Sequence, residues 1–131
     1  MTSAGYSGKP LTVKLGVRPD SRVLVYDAPA GCTLDCPHHV RAGSEPYDIV
    51  LLFCPNLMAL RRKYATAYAK LTMAGALWVA WPKRSSGVVT DIGEHDVRSY
   101  ALTHGLVDVK VIAVDETWSG LKLVRRKADR T

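Results

Sequence analysis

The sequence predicts an α/β fold: a mainly parallel sheet with helices on both faces and an antiparallel hairpin at its C-terminal end. Three apolar runs, at residues 23–25, 49–52 and 76–81, are nearly continuous, which is typical of parallel strands buried on both faces. The second and third runs are each followed by a helical pattern, as expected of crossover connections. The last two apolar runs are joined by residues 115–120 alone, which is too short a connection for a crossover.

Length and composition are those of one domain with a hydrophobic core. The chain has 131 residues, of which 47% are hydrophobic and 23% are charged. We expect a flexible arm at residues 1–8, one domain at residues 9–126 and a basic tail at residues 127–131. The formal net charge is +6, and much of the excess lies near this tail. Such a run usually forms a solvated surface, and attraction to nucleic acid is the alternative interpretation.

The three cysteines, Cys32, Cys36 and Cys54, bear on the cellular compartment. Their odd number and the lack of a recognisable signal peptide favour a reducing cytoplasm. No apolar run approaches the roughly 20 residues that a membrane span needs. We therefore expect a cytoplasmic protein without membrane contact, and the sequence leaves its oligomeric state open, a homodimer included.

The N-terminal third predicts a short helix and the first strand. Residues 9–16 (KPLTVKLG) fit a helix, because Pro10 suits a first turn and Gly16 suits the C-terminal cap. Residues 22–27 (RVLVYD) predict the first strand. The segment that follows predicts a short helical turn and a short strand near residues 38–42.

The middle of the chain predicts a strand and a long helix. Residues 47–53 (YDIVLLF) form the strand, and Asn56 is a suitable N-cap for the helix. Apolar residues at helical spacing extend that helix over residues 57–73, and Gly75 ends it. The spacing is that of Leu57, Leu60, Tyr64, Ala67, Tyr68 and Leu71.

The C-terminal half predicts strand, helix, strand, strand. Residues 76–81 form the first of these strands. A helix follows over residues 92–104, with Asp91 and Glu94 at capping-box spacing and Gly105 as its stop. Two strands, at residues 107–114 and 121–126, then form the hairpin.

This order resembles that of class I S-adenosylmethionine-dependent methyltransferases. Residues 14–27 (KLGVRPDSRVLVYD) resemble the entry and first strand of such enzymes. Residues 47–53, with Asp48 near their start, resemble the fourth strand. Residues 71–83 (LTMAGALWVAWPK) resemble the helix end and fifth strand, where only Gly75 remains of a common glycine pair. The resemblance implies a reduced Rossmann-like, methyltransferase-like fold and S-adenosylmethionine as a candidate cofactor.

A closer resemblance is to a family of short bacterial proteins of unknown function built on a reduced version of that fold. The similar segments are residues 5–10 (GYSGKP), 81–83 (WPK), 90–91 (TD), 114–120 (VDETWSG) and 125–127 (RRK). This resemblance covers nearly the whole chain. It implies a bacterial, cytoplasmic protein but no activity.

Two features depart from a working methyltransferase. The enzymes carry a glycine-rich loop after the first strand, whereas residues 27–32 (DAPAGC) contain one glycine and a rigid proline. The enzymes also hold the ribose hydroxyls with an acid at the end of the second strand, and only Glu45 stands near that place. The stretch between Gly31 and Tyr47 is too short for a βαβ unit, which needs about 30 residues. We therefore expect ligand binding without classical methyl transfer, and a methyltransferase with an atypical cofactor mode is the alternative.

The loop at residues 83–87 (KRSSG) predicts anion binding. Its lysine and arginine supply charge, its serines supply hydroxyl groups, its glycine lets the backbone turn inward, and the next helix N-terminus adds a dipole. Ligands of α/β proteins bind at the carboxyl ends of the strands, so we expect a small anionic ligand in a crevice there. The predicted lining is Asp27, Gly31, Cys54, Pro82, Lys83, Arg84 and Ser85. A solvent-exposed basic loop is the alternative.

Two other groups of residues have chemically active side chains. Cys32, Cys36 and His38 are of metal-ligand type, but their spacing is not that of a structural zinc site, and a loop with half-buried cysteines is the preferred interpretation. His95 beside Glu94 would be a general base only if the two met, and neighbours on a helix point in different directions. The sequence thus identifies no catalytic residue.

Overall fold

The computed structural model describes residues 9–130, which form one five-stranded sheet with three α-helices. The strands are β1 (Val23–Tyr26), β2 (Tyr47–Phe53), β3 (Leu71–Pro82), β4 (Val107–Ala113) and β5 (Trp118–Val124). The helices are α1 (Leu11–Leu15), α2 (Leu57–Ala69) and α3 (Glu94–Thr103), and short 3₁₀ turns lie at Arg84–Ser86 and Lys127–Asp129. The predicted arm at residues 1–8 lies outside the described residues.

The strand order across the sheet is β1-β2-β3-β5-β4. β1, β2 and β3 are parallel neighbours, whereas β5 is antiparallel to both β3 and β4. Because α2 connects β2 to β3 and α3 connects β3 to β4, the crossovers stand where the helical patterns predict them. The prediction of an α/β fold is confirmed: the sheet is mixed, with parallel strands at its start and antiparallel pairing at its C-terminal end.

Both faces of the sheet are buried, but by different elements. Alternate strand residues such as Val50 and Leu52 pack on one face with side chains from α2 and α3. Leu51 and Phe53 point to the other face, where α1 contributes Leu15. Burying a large apolar side chain contributes about 1.5–3 kcal/mol, and this double layer explains the continuous apolar runs of β2 and β3.

The boundary between α2 and β3 differs from the prediction. The helix ends at Ala69, β3 begins at Leu71, and Gly75 lies inside the strand. An added Cβ at Gly75 would lie 2.9 Å from Thr72 Oγ1 and 3.0 Å from the Tyr47 carbonyl oxygen. The glycine therefore permits the close approach of β2 and β3 where their register shifts, and it does not end a helix.

The start of α3 also differs from the prediction. Glu94 is its first residue and Gly93 its N-cap, and Asp96 Oδ2 accepts a hydrogen bond from the Gly93 backbone N–H at 2.9 Å. Asp91 does not cap this helix, because its Oδ1 accepts the backbone N–H of Leu57 at the start of α2, at 2.8 Å. The stop at Gly105 is as predicted, with a φ of 96°.

Local turns set the bounds of α1 and the start of β5. α1 begins after Pro10 and ends before Gly16, whose φ is 79°, as predicted. β5 begins at Trp118, earlier than predicted, because Asp115 Oδ1 accepts the N–H groups of both Thr117 and Trp118 at 2.8 Å and closes the turn.

The segment between β1 and β2 is largely irregular. Its predicted strand near residues 38–42 is a single bridge, in which His39 pairs with Leu24 beside β1. The predicted helical turn does not form in this segment. Tyr47 holds the loop to the sheet, since its hydroxyl bonds the His39 ring and accepts the Gly43 N–H at 2.8 Å.

Among residues 9–130, no helix has the length and apolar character needed to cross a membrane.

Candidate anion-binding site

The carboxyl ends of three neighbouring strands meet at one edge of the sheet. Tyr26 of β1 pairs with Leu52 of β2, and Phe53 of β2 pairs with Ala80 of β3, so the three strands end close together. Asp27, Cys54 and Lys83 directly follow these strands. Three of the predicted lining residues thus share one edge.

Asp27 forms the β1 side of this edge in a left-handed conformation with φ of 60°. Aspartate tolerates this region better than most residues do, and such positions cluster at turns and functional sites. Its Oδ2 lies 3.6 Å from Lys63 Nζ, and the same ammonium lies 5.1 Å from the centroid of the Tyr26 ring. Because both charged side chains are largely exposed, this ion pair adds little stability.

Cys54, which directly follows β2, and Pro82, the last residue of β3, are both buried. Cys54 is 0% exposed, and its backbone N–H donates to the Ala80 carbonyl at 2.7 Å. Burial, together with the nearby charge of Asp27, raises the pKa of the Cys54 thiol to about 12. The thiol is therefore neutral near pH 7 and is not a nucleophile there.

The loop after β3 is a well-bonded turn. The Lys83 N–H donates to the Thr117 carbonyl at 2.8 Å, and the Ser86 hydroxyl donates to the Lys83 carbonyl at 2.7 Å. The backbone reverses at Gly87, with φ of 79°. Arg84 and Ser85 project from this turn and are exposed. The turn presents their side chains to solvent, whereas the Ser86 hydroxyl is used internally.

The helix N-terminus that was expected to add a dipole to this loop carries acidic side chains. α3 begins only at Glu94, beyond the loop, and its first turn carries two acidic residues. One of them, Asp96, bonds the Gly93 N–H. Negative side chains already occupy the end of the helix where an anion would gain from the dipole.

Lys14 was not among the residues predicted for the site, and the structure brings it into the electrostatic neighbourhood of this loop. Lys14 is 9% exposed, and its Nζ donates to the Ala113 carbonyl at 2.7 Å. Burial lowers the pKa of Lys14, and the positive charges of Lys83 and Lys9 lower it further. The available sequence signal was its position three residues after Leu11, on the buried face of α1.

Gly31 belongs to a different cleft. It has φ of 84° and lines a space of about 270 Å³ between the loop after β1 and the start of α1. The same space is lined by Asp35 and Asp115, whose negative charges disfavour an anion. Gly31 therefore does not join Lys83 in one anion site.

The chain matches no protein-family model and no curated protein.

The usual binding mode of S-adenosylmethionine does not fit this chain. The place beside β1 where the enzymes carry an acid-bearing strand is taken by the bridge at His39. Glu45 lies at the amino-terminal ends of the strands. Its carbonyl oxygen accepts a hydrogen bond at 3.2 Å from the guanidinium of Arg22, which precedes β1. Glu45 cannot reach a ribose bound at the carboxyl ends of the strands.

The remaining candidates are separated or paired elsewhere. Cys32 and Cys36 pack against the α1 face of the sheet, whereas Cys54 belongs to the opposite face. Within the part of the chain that the structure describes, no three His, Cys, Asp or Glu residues are grouped as metal ligands. Glu94 pairs with Arg98, and the His95 ring lies 3.4 Å from the Ser99 hydroxyl, so the two neighbours do not form an acid–base pair.

Proposed function

We propose that this chain binds a small anionic ligand at the carboxyl ends of its parallel strands, without classical methyl transfer. One observation carries the proposal: the turn after β3, the central parallel strand, is closed by hydrogen bonds of Lys83 and Ser86 and leaves Arg84 and Ser85 exposed. Two adjacent positive charges and a hydroxyl group at the carboxyl end of a parallel strand suit an anion, which would offset the repulsion between the two charges.

The residues of the site would contribute differently. Arg84 and Ser85 are exposed on the rigid turn and would contact the anion directly, with arginine able to donate two parallel hydrogen bonds. Lys83 would supply charge, next to the buried Pro82 and Cys54. Asp27 opposes an anion, and its ion pair with Lys63 reduces that opposition.

A double substitution tests the proposal. In Lys83→Ala/Arg84→Ala, binding of inorganic pyrophosphate measured by calorimetry should weaken at least about tenfold, because each charged hydrogen bond contributes about 1.5–3 kcal/mol. The matched control is Arg18→Ala/Arg41→Ala, which removes the same formal charge from exposed positions outside the loop and outside the C-terminal basic run. Equal affinity in the two variants would reject the loop as the site.

A methyltransferase with an atypical cofactor mode is the second candidate. Its support is the strand order, in which an antiparallel β5 lies between β3 and β4, together with the motifs that resemble such enzymes. This candidate predicts saturable binding of S-adenosylmethionine by calorimetry. If millimolar S-adenosylmethionine gives no heat of binding, this candidate is rejected.

Binding of nucleic acid or of a protein partner is the third candidate. Arg126, Lys127 and Arg130 are exposed, which supports a polyanion surface, although Arg125 is occupied by the Tyr68 ring and the Thr72 carbonyl. Affinity for RNA or DNA would then fall steeply with salt concentration. The edge strand β4 exposes Val109 and Val111, which would suit a homodimer, and light scattering measures that state.

A further inference from the structure

A cluster of aromatic rings lies where the last turns of α2 and α3 meet. Tyr64 is buried at its centre, and its ring centroid lies 5.1 Å from that of Tyr100 and 5.7 Å from that of His104. The ring of Tyr68, one turn further along α2, lies 6.1 Å from Tyr64. The Tyr64 hydroxyl donates to the His104 carbonyl at 3.1 Å and so ties the two helices together.

His104 and Tyr100 form one stacked pair in this cluster. Their rings are nearly parallel, at 10°, and their centroids are 4.0 Å apart. The His104 ring is also held by its Nδ1, which lies 2.7 Å from the Tyr100 carbonyl oxygen. Tyr100 is half-buried, whereas His104 is exposed. An exposed ring that is backed by a second ring is a rigid platform on which another flat ring can stack.

Arg125 and Tyr68 form a second stacked pair. The guanidinium carbon of Arg125, which follows β5, lies 4.7 Å from the centroid of the Tyr68 ring, and its Nη1 donates to the Thr72 carbonyl at 2.9 Å. Both side chains are half-buried. A guanidinium plane that is held in one place can stack on a nucleic-acid base as an aromatic ring does. We call the two stacked pairs together the aromatic surface.

Positively charged side chains surround the aromatic surface. Arg126 and Lys127 directly follow Arg125 and are exposed. The Arg130 Nε donates to the Arg125 carbonyl at 2.9 Å, which keeps the end of the chain beside this surface. Four of the six residues from 125 to 130 are basic, and one, Asp129, is acidic. This balance attracts a polyanion.

The aromatic surface lies far from the anion-binding loop. Arg125 contacts Thr72 near the start of β3, whereas the loop follows Pro82 at the end of that strand. A strand rises about 3.3 Å per residue, so the two places are roughly 35 Å apart. A small ligand at the loop therefore leaves this surface open to a second partner.

We propose that the aromatic surface binds single-stranded nucleic acid, with bases stacked on His104 and Arg125 and phosphates against Arg126 and Lys127. Single strands are bound by the combination found here, in which basic side chains follow the backbone and flat groups stack on bases of any sequence. A duplex keeps its base faces covered, and an acidic protein would need the charges alone. The inference goes beyond the small ligand at the loop and gives the nucleic-acid candidate a surface and a mode of binding.

The experiment measures fluorescence anisotropy of a labelled oligouridylate of about ten nucleotides, a length within the usual range for one binding surface. Titrations at increasing salt give the slope of log affinity against log salt concentration. For three or four phosphate contacts the unmodified chain should show a slope of about −2 to −3. Inorganic polyphosphate is the competitor that carries charge without bases.

Two substitutions test the stacking platforms without testing charge. His104→Ala should weaken binding at least about fivefold at an unchanged salt slope, because a stacked base is lost and no phosphate contact is. His104→Phe should keep the affinity, and the control is His95→Ala, an exposed histidine of the same helix. Arg125→Lys keeps the charge but loses the plane, so it should also weaken binding, whereas Arg126→Lys should not.

Two double substitutions test the charges. Arg126→Ala/Lys127→Ala should weaken binding and reduce the magnitude of the salt slope by about 1.4, since two phosphate contacts are removed. Lys83→Ala/Arg84→Ala removes the same formal charge from the other end of β3 and should bind like the unmodified chain. Thermal unfolding shows that each variant is folded.

The outcomes separate this inference from the proposed function. The inference is supported if His104→Ala and Arg125→Lys lose affinity at an unchanged salt slope while their controls do not. It is overturned if the unmodified chain does not bind the oligouridylate at low salt, if polyphosphate competes as well as unlabelled oligouridylate, or if His104→Ala binds as tightly as His95→Ala. If only Lys83→Ala/Arg84→Ala weakens binding, the aromatic surface is rejected and the loop stands. Loss of pyrophosphate binding in that variant tests the loop alone.

Discussion

Asp91 caps a helix that begins 34 residues before it in the chain. Its Oδ1 accepts the Leu57 backbone N–H at 2.8 Å, while Thr90 donates its hydroxyl to the Pro55 carbonyl at 2.7 Å. Asn56 provides the local cap by accepting the Ala59 N–H at 2.9 Å. The negative charge of Asp91 also lies at the positive end of the α2 dipole. The loop before α3 thereby holds the start of α2 directly after the end of β2, next to Cys54.

Removing this distant cap should destabilise the fold. We expect Asp91→Ala to lower the free energy of unfolding by about 1 kcal/mol, the usual cost of losing a helix cap. Asp91→Asn keeps an acceptor oxygen and should lose less. Urea denaturation measures both, with the exposed Glu116→Ala as the control for loss of one acidic residue. If Asp91→Ala and Glu116→Ala have the same urea midpoint, the hydrogen bond from Leu57 to Asp91 contributes nothing to stability.

Gly75 should not tolerate a side chain. Gly75→Ala would place a Cβ 3.0 Å from the Tyr47 carbonyl, which is backbone and cannot rotate away. We expect a loss of about 1–3 kcal/mol in unfolding free energy, the usual cost of overpacking. The control is Gly43→Ala, because an added Cβ there would meet its nearest neighbour, the Tyr47 hydroxyl, at 3.4 Å. Equal denaturation midpoints for the two variants would contradict the close approach of β2 and β3.

Cys54 should be unreactive in the folded protein. Its thiol has no exposed surface and a pKa raised to about 12, so almost no thiolate exists at pH 8. Cys32 and Cys36 are half-buried and should react first with an aromatic disulfide reagent. Cys54→Ala should leave the number of fast-reacting thiols unchanged, while in denaturant the parent chain should show one more reactive thiol than this variant. A fast thiol lost in Cys54→Ala would refute the burial of this side chain.

Because of Lys14, the free energy of unfolding should change with pH in the alkaline range. Its folded-state pKa is lowered below the ordinary value of 10.5, so the unfolded chain binds more protons between the two values. Stability contributed by this group therefore rises with pH through that window, and its charge is unfavourable at lower pH. Lys14→Met should be most stabilised relative to the parent near neutral pH, and this difference should shrink towards pH 10.5.

The test is a series of urea denaturation curves at increasing pH. Lys122→Met is the control, since Lys122 is a half-buried lysine on β5. A difference between Lys14→Met and the parent that stays constant with pH would show that the Lys14 ammonium is not unfavourably placed.

Elements whose signals are local could be predicted from the residues alone. The apolar run of residues 47–53 matches β2 because a strand buried on both faces needs apolar side chains in both directions. Gly16 and Gly105 were correct helix stops because their positive φ values suit glycine. The two crossovers and the short final turn then specify which strands are parallel.

Other features depend on contacts between segments that are distant in the chain, and these could not be predicted from the residues alone. Asp91 stands at capping-box spacing for α3, yet it bonds the N-terminus of α2 because the loop before α3 packs there. Gly75 has the position of a helix stop, but strand pairing continues through it. The aromatic surface has no pattern in the chain, since Arg125 meets the Tyr68 ring only when the end of β5 lies beside α2. Electrostatic energy depends on distance in space, and the spacing of residues along a chain does not give that distance.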